Sequence, residues 1–307
     1  MNSSSPVFET LDIDLPKGCD FWLTARSHGW CALPPFAHQA ERRLLSRVFL
    51  LEGMQTVHCE LREDSGAVRV RAQSHTPLST HARADLLGQI RCCLRLDEDF
   101  LEFHRQARRY PRYRWIAQRG AGRLLRSPTV FEDAVKMICT TNCTWALTTL
   151  MVSNLVESAG REHGGGQYAF PAPEAVASLS ESLLRREIKA GYRAPYLLEL
   201  ARRVASGTLE IESWRSTQAP TEELFAQMRA VKGIGPYAAG NLLKLAGRYD
   251  YLGLDSWVRA QYFRLHHRGR RVKDATIEKA YAPLGRWRGL FFWLEMTRSW
   301  HKDKFPL

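Results

Sequence analysis

The stretch VKGIGPYAAGNLLKLAGRYDYLGLDSW, Val231 to Trp257, gathers residue types able to do chemistry. Asp255 follows a Gly-Leu pair and precedes SWVRAQYF, which reads as the start of a helix. A carboxylate placed there caps free backbone amides, and the helix dipole keeps it ionised. Upstream, the glycines of Gly233-Ile234-Gly235 permit left-handed backbone angles and close approach of another backbone. Ile234 would plug between the flanking helices, and Pro236 suits a first helical position. Ala238, Leu242, Leu245 and Ala246 supply the second helix with a buried face. Such a helix-hairpin-helix aims free amides and a helix N-terminus outward, toward a phosphate oxygen, with Lys232 adding positive charge. Taken singly, the turn also fits an ordinary helix–helix connection and Asp255 a simple N-cap. Capping and chemistry are compatible.

Other chemistries lack their residues. His163 and the His266-His267 pair have no zinc-ligand spacing, no H-E-x-x-H occurs, and HGGGQ lacks the lysine and helix start of a phosphate loop. No metal is expected. The seven cysteines (19, 31, 59, 92, 93, 139, 143) are odd in number and irregular in spacing, which predicts buried free thiols in a reducing compartment. The charge balance is informative: 44 Lys+Arg against 32 Asp+Glu gives +12. That surplus favours a polyanionic partner, most simply nucleic acid. The start, MNSSSPVFETLDIDLP, lacks a basic segment followed by an apolar one, and no apolar run reaches the roughly 18 residues of a membrane span. A cytoplasmic location is expected, or a nuclear one in a eukaryote, with a monomer as the working unit.

The elements that must position these residues read as α+β. An antiparallel β domain over 1–96 precedes a helical domain over 97–307, with the hairpin at 233–235. Val57, Cys59 and Leu61 alternate with polar residues, as do Val68, Val70 and Ala72, around a turn at 63–66. This predicts a hairpin with one wet, arginine-bearing face. Thr80 and Ser127 are the expected caps of helices. The basic, aromatic-rich segment 108–126 fits either a solvated linker or a strip along a phosphate backbone.

Beyond the hairpin and Asp255, the stretches 123–160, GYRAPYLLELAR (191–202) and GRWRGLFFWLEMT (285–297) stand in a familiar order. Over roughly residues 120–300 the chain resembles the helix-hairpin-helix DNA glycosylases, including the 3-methyladenine II and 8-oxoguanine types. The resemblance implies double-stranded DNA as partner and Asp255 as the catalytic carboxylate, facing a sugar that becomes cationic as its base departs. It implies Lys232, Gly233, Ile234 and Gly235 as the backbone grip. Asn142 would enter the space left by the extruded base, and Tyr192 and Arg193 would press on the bases around it. Where strand-cutting relatives carry a Schiff-base lysine, this chain has Tyr237, which implies hydrolysis without lyase activity. Tyr237 and Trp257 become candidate walls of the base pocket, and aromatic walls favour electron-poor alkylated purines. Oxidised purines and modified pyrimidines are the alternative substrates, and a non-catalytic damage binder the alternative role. Leu147 replaces an arginine of the 8-oxoguanine enzymes, which weakens a cytosine-opposite preference, and Trp257 replaces a histidine of theirs, which with Phe291, Phe292 and Trp293 could line an aromatic pocket. No cysteine follows Cys143, so no iron–sulfur cluster is implied; a monovalent cation at the hairpin is.

Overall fold

The computed structural model describes residues 6–301, so the first and last few residues of the two expected domains lie outside the described residues. Five strands, β1 (Val7–Asp14), β2 (Phe36–Gln39), β3 (Leu44–Leu50), β4 (Thr56–Asp64) and β5 (Ala67–Ser74), form one antiparallel sheet in the order β1-β5-β4-β3-β2. The β4–β5 hairpin has the expected register, with Leu61 opposite Val70. Ser65 and Gly66 turn the chain at positive φ (52° and 83°). Arg69 on the wet face binds Asp12 and Asp64, which accounts for that face as a solvated one.

The rest is mostly helical, but the two expected domains do not own separate cores. One apolar cluster runs from the sheet (Val57, Leu61, Val70) through the helix Thr80–Leu94 to the hairpin helices (Leu224, Ile234, Leu243). A second joins the helix Leu101–Arg109 to the C-terminal helices through Phe103, Tyr113, Tyr281 and Phe291. Across the sheet–helix junction, Arg47 of β3 forks onto Glu132 at 2.8 and 2.6 Å, and Lys136 binds the same carboxylate at 2.7 Å. All three are buried. Burial alone would raise Glu132, but the two cations outweigh it and hold its carboxyl down at about 2.

Some boundaries shift for local reasons. Ser79, not Thr80, caps its helix, its hydroxyl accepting from the Ala82 amide. Thr129, not Ser127, caps Val130–Thr140, because the Glu212 carboxylate takes the Val130 and Phe131 amides at 2.8 and 3.0 Å. The end of the basic segment 108–126 is neither linker nor phosphate strip, while Arg108, Arg109, Arg112, Arg114 and Arg119 stay exposed. Arg123 is buried and donates to the Arg95 and Glu98 carbonyls, while Arg126 donates to the carbonyls of Cys92 and Leu245. These guanidiniums satisfy carbonyls that would otherwise be buried unpaired.

Candidate active site

The helix Thr221–Arg229, a turn and the helix Pro236–Leu245 form the hairpin. Ile234 is buried between them. Gly233 turns at φ 87°, and a Cβ there would stand 2.8 Å from Tyr196 Cβ, so both its angle and its surroundings demand glycine. Gly235 differs from expectation. Its φ of −78° is ordinary, and nothing lies within 4 Å of where a Cβ would be. Its missing side chain leaves open space at the helix start instead of permitting a strained turn. Lys232 projects outward beside the hairpin and pairs with Glu199 at 2.8 Å.

The second hairpin helix holds the catalytic candidate in place by close backbone approach. A Cβ on Gly240 would lie 3.2 Å from Gly253 Cα and 2.9 Å from the Tyr251 ring. That contact lays the segment 251–255 against the helix and delivers Asp255 to the start of the helix Ser256–His267. Asp255 Oδ1 accepts from the amides of Trp257 (2.7 Å) and Val258 (2.9 Å). The carboxylate lines a cleft of about 1430 Å³ together with Lys232, Gly233, Gly235, Tyr237 and Trp257. The nearby guanidinium of Arg259 is engaged elsewhere, with Asp274 at 2.7 Å. Asp255 is therefore capped, turned to the cleft and free of an ion pair among the described residues.

Aromatic residues form one side of the cleft. Trp257, partly exposed, packs its ring 5.2 Å from Trp300 and 6.4 Å from Trp293. Tyr237, 41% exposed, stands at the mouth beside the hairpin. Phe291 and Phe292, next to Trp293 in sequence, are wholly buried core residues. Sequence reasoning missed Trp300 and the wall contributed by His28, Gly29 and Trp30, and gave no sign that Lys244 would line the cleft. The SHGW loop was legible as aromatic, but no periodicity tied it to a hairpin about two hundred residues away. Trp30 is held by Asp133, which accepts its indole N–H at 2.8 Å.

Opposite lies the loop of Asn142, at φ 47° and exposed; its amide donates to Tyr192 Oη at 3.3 Å. Tyr192 is 48% exposed and shares the cleft. Arg193 is placed otherwise than expected. It is buried, donates to the Thr141 carbonyl and hydroxyl, and stacks on the Tyr192 ring at 4.5 Å. Arg193 thus braces the loop that presents Asn142 and Tyr192. Leu147 packs half-buried against the core.

Among the described residues no group of three or more His, Cys, Asp or Glu is placed to hold a metal ion. A cation at the hairpin would depend on backbone oxygens. Of these, the Val231 carbonyl already accepts from the Ile234 amide at 3.1 Å.

No protein-family model matches the chain. It is 24% identical over 316 aligned positions to a probable N-glycosylase/DNA lyase of Methanothermobacter thermautotrophicus, covering 93% of this chain and 96% of that protein. Among solved structures it superposes on the 3-methyladenine DNA glycosylase of Archaeoglobus fulgidus with a TM-score of 0.74 and 20% identity, covering 95% of this chain and 99% of that one. The 8-oxoguanine glycosylase/lyase of Clostridium acetobutylicum, bound to duplex DNA with cytosine opposite 8-oxoguanine, gives 0.63 and 20%, covering 82% and 88%. Hairpin, cleft carboxylate and sheet together thus form the fold of the helix-hairpin-helix DNA glycosylases, which this chain shares and resembles in sequence almost from end to end.

Proposed function

We propose that the protein is a DNA glycosylase that hydrolyses the bond between deoxyribose and a modified base turned out of the duplex. The observation that carries this reading is the placement of Asp255: an unpaired carboxylate in a cleft beside an outward-facing hairpin. Phosphates bind the amides around Gly233 and Gly235 and the start of the helix after them. A monovalent cation would be held there by backbone carbonyls and would draw a phosphate oxygen; no step of the reaction depends on it. Extrusion of the base costs a few kcal/mol, which Asn142 and Tyr192 offset by filling the vacated stack. The base enters between Tyr237 and the tryptophans. As the C1′–N bond breaks, its electron pair leaves with the base and the sugar becomes cationic opposite Asp255. The carboxylate orients a water whose oxygen bonds to C1′ and takes up the proton that water sheds. The products are free base and an abasic site. The electron-rich walls favour alkylated purines.

The position at which strand-cutting relatives carry a nucleophilic lysine is Tyr237, and Lys232 beside it is paired with Glu199. Borohydride treatment during turnover is therefore expected to trap no protein–DNA adduct. A trapped adduct would assign a covalent route to another amine. The substrate itself is tested by a panel of duplexes, each with one modified base, read as abasic-site formation; no release from any of them would end the glycosylase reading.

The +12 charge sets a further expectation. Duplex binding should weaken steeply between 50 and 200 mM salt, by about 10³-fold or more if six or so phosphates are neutralised. A binding isotherm that barely moves over this range would point to a different partner.

A further inference from the structure

Lys244 is a buried cation in the cleft wall without a counter-ion. It lies on the helix Pro236–Leu245, two turns past Tyr237 and on the same face, and is only 4% exposed. Other buried cations are tied down: Arg47 and Lys136 by Glu132, Arg95 by Glu98, Arg193 by the Thr141 carbonyl. The Lys244 amine has neither an ion pair nor a hydrogen bond among the described residues. It stands over the Trp293 ring, 5.0 Å from the centroid. Gly253 makes room for it, since a Cβ there would lie 3.0 Å from Lys244 Nζ. Leaving a charge buried and unpaired is costly, and a site that does so is built to receive a partner.

We infer that Lys244 determines specificity: its ammonium donates a hydrogen bond to a carbonyl oxygen or ring nitrogen of the extruded base, selecting neutral modified purines over formally cationic ones. The inference rests on the glycosylase reading and narrows it. Tryptophan faces stack on any purine, and would attract a cationic one most. A fixed positive charge in the same wall reverses that preference, because like charges in a desolvated pocket repel strongly. Among alkylated purines this favours those that stay neutral, such as bases alkylated on an exocyclic oxygen, over those quaternised on a ring nitrogen.

The charge state fits. Burial pushes the Lys244 amine down to about 8, with the Asp255 carboxylate pulling it partway back. One unit above neutrality leaves it protonated by about tenfold at pH 7. Of the other groups near it, His28 is driven by burial down to about 4 and is neutral, and Arg95 is held on the Lys244 and Leu245 carbonyls. Neither cancels the ammonium. As pH rises through about 8 the amine loses its proton, so discrimination against cationic bases weakens above that point.

The test compares base release under single-turnover conditions from duplexes carrying O6-methylguanine or hypoxanthine (neutral) and 7-methylguanine (cationic). The wild-type protein is set beside Lys244→Met, Lys244→Gln and Lys244→Arg. The neutral-to-cationic rate ratio is expected to fall about tenfold or more in the Met and Gln variants and to be retained by Arg. Between pH 7 and 9 it should drop more in the wild type than in the Met variant, whose remaining change reports titration of the bases themselves. The difference between the wild-type and Arg pH profiles, in which titration of the bases cancels because arginine keeps its charge, stands as a second readout should the Met and Gln variants fail to fold. Excision with a ratio unchanged by substitution, and with wild-type and Arg pH profiles that coincide, overturns the inference alone. So does a borohydride-trapped adduct that Lys244→Gln abolishes, because the amine would then be a nucleophile. No excision from any duplex overturns the glycosylase reading and this inference with it.

Discussion

Replacing Asp255 by Asn is expected to slow base release by about a thousandfold or more while leaving duplex affinity unchanged or improved. The magnitude follows from charge: a carboxylate about 3.5 Å from a developing cation, at an effective dielectric near 20, contributes about 4–5 kcal/mol. Asparagine is a fitting replacement because it also caps helices well. Its carbonyl oxygen can accept the Trp257 and Val258 amides that Asp255 Oδ1 accepts now, so the helix Ser256–His267 keeps its start. Loss of activity would then report chemistry and not unfolding, which circular dichroism of the variant checks. Single-turnover rates within tenfold of wild type would remove Asp255 from the catalytic role. Affinity should not fall, since a negative group near phosphates has been deleted.

Glu132→Gln is expected to destabilise the fold by about 3–5 kcal/mol, measured as the free energy of unfolding in denaturant. The substitution preserves shape and strands two cations, Arg47 and Lys136, in the interior. The same group sets an acid limit. Its folded pKa of about 2 lies below the ordinary 4.5, so its contribution is fully present above about pH 4.5 and is lost as pH falls toward 2. The variant should show a weaker pH dependence in that window. A Gln variant within 1 kcal/mol of wild type would mean that the two cations find other partners or lose their protons.

The hairpin and Asp255 were legible because both are local. Glycine at a tight turn, proline at a helix start and an acid before a helix act over a few residues, and the structure keeps them together. The alternation of Val57, Cys59 and Leu61 against Val68, Val70 and Ala72 likewise gave the β4–β5 register. What was hidden depends on distance in sequence. Arg47 has no partner near it in sequence, and only Glu132, 85 residues on, explains its burial. Arg193 was expected to press on the bases beside the extruded one, and only the Thr141 carbonyl explains why it is buried instead. Lys244 was visible, but its position two turns from the hairpin gave no sign that Gly253 would clear space for its amine. The caps slipped by one residue at Ser79, for a purely local reason, and by two at Thr129, where the remote Glu212 takes the first amides.

The cleft draws His28, Gly29 and Trp30 from the early part of the chain and Trp300 from the late part. During synthesis the hairpin is made before the wall that Trp300 contributes. Enclosure of the cleft therefore waits on the segment that carries Trp300.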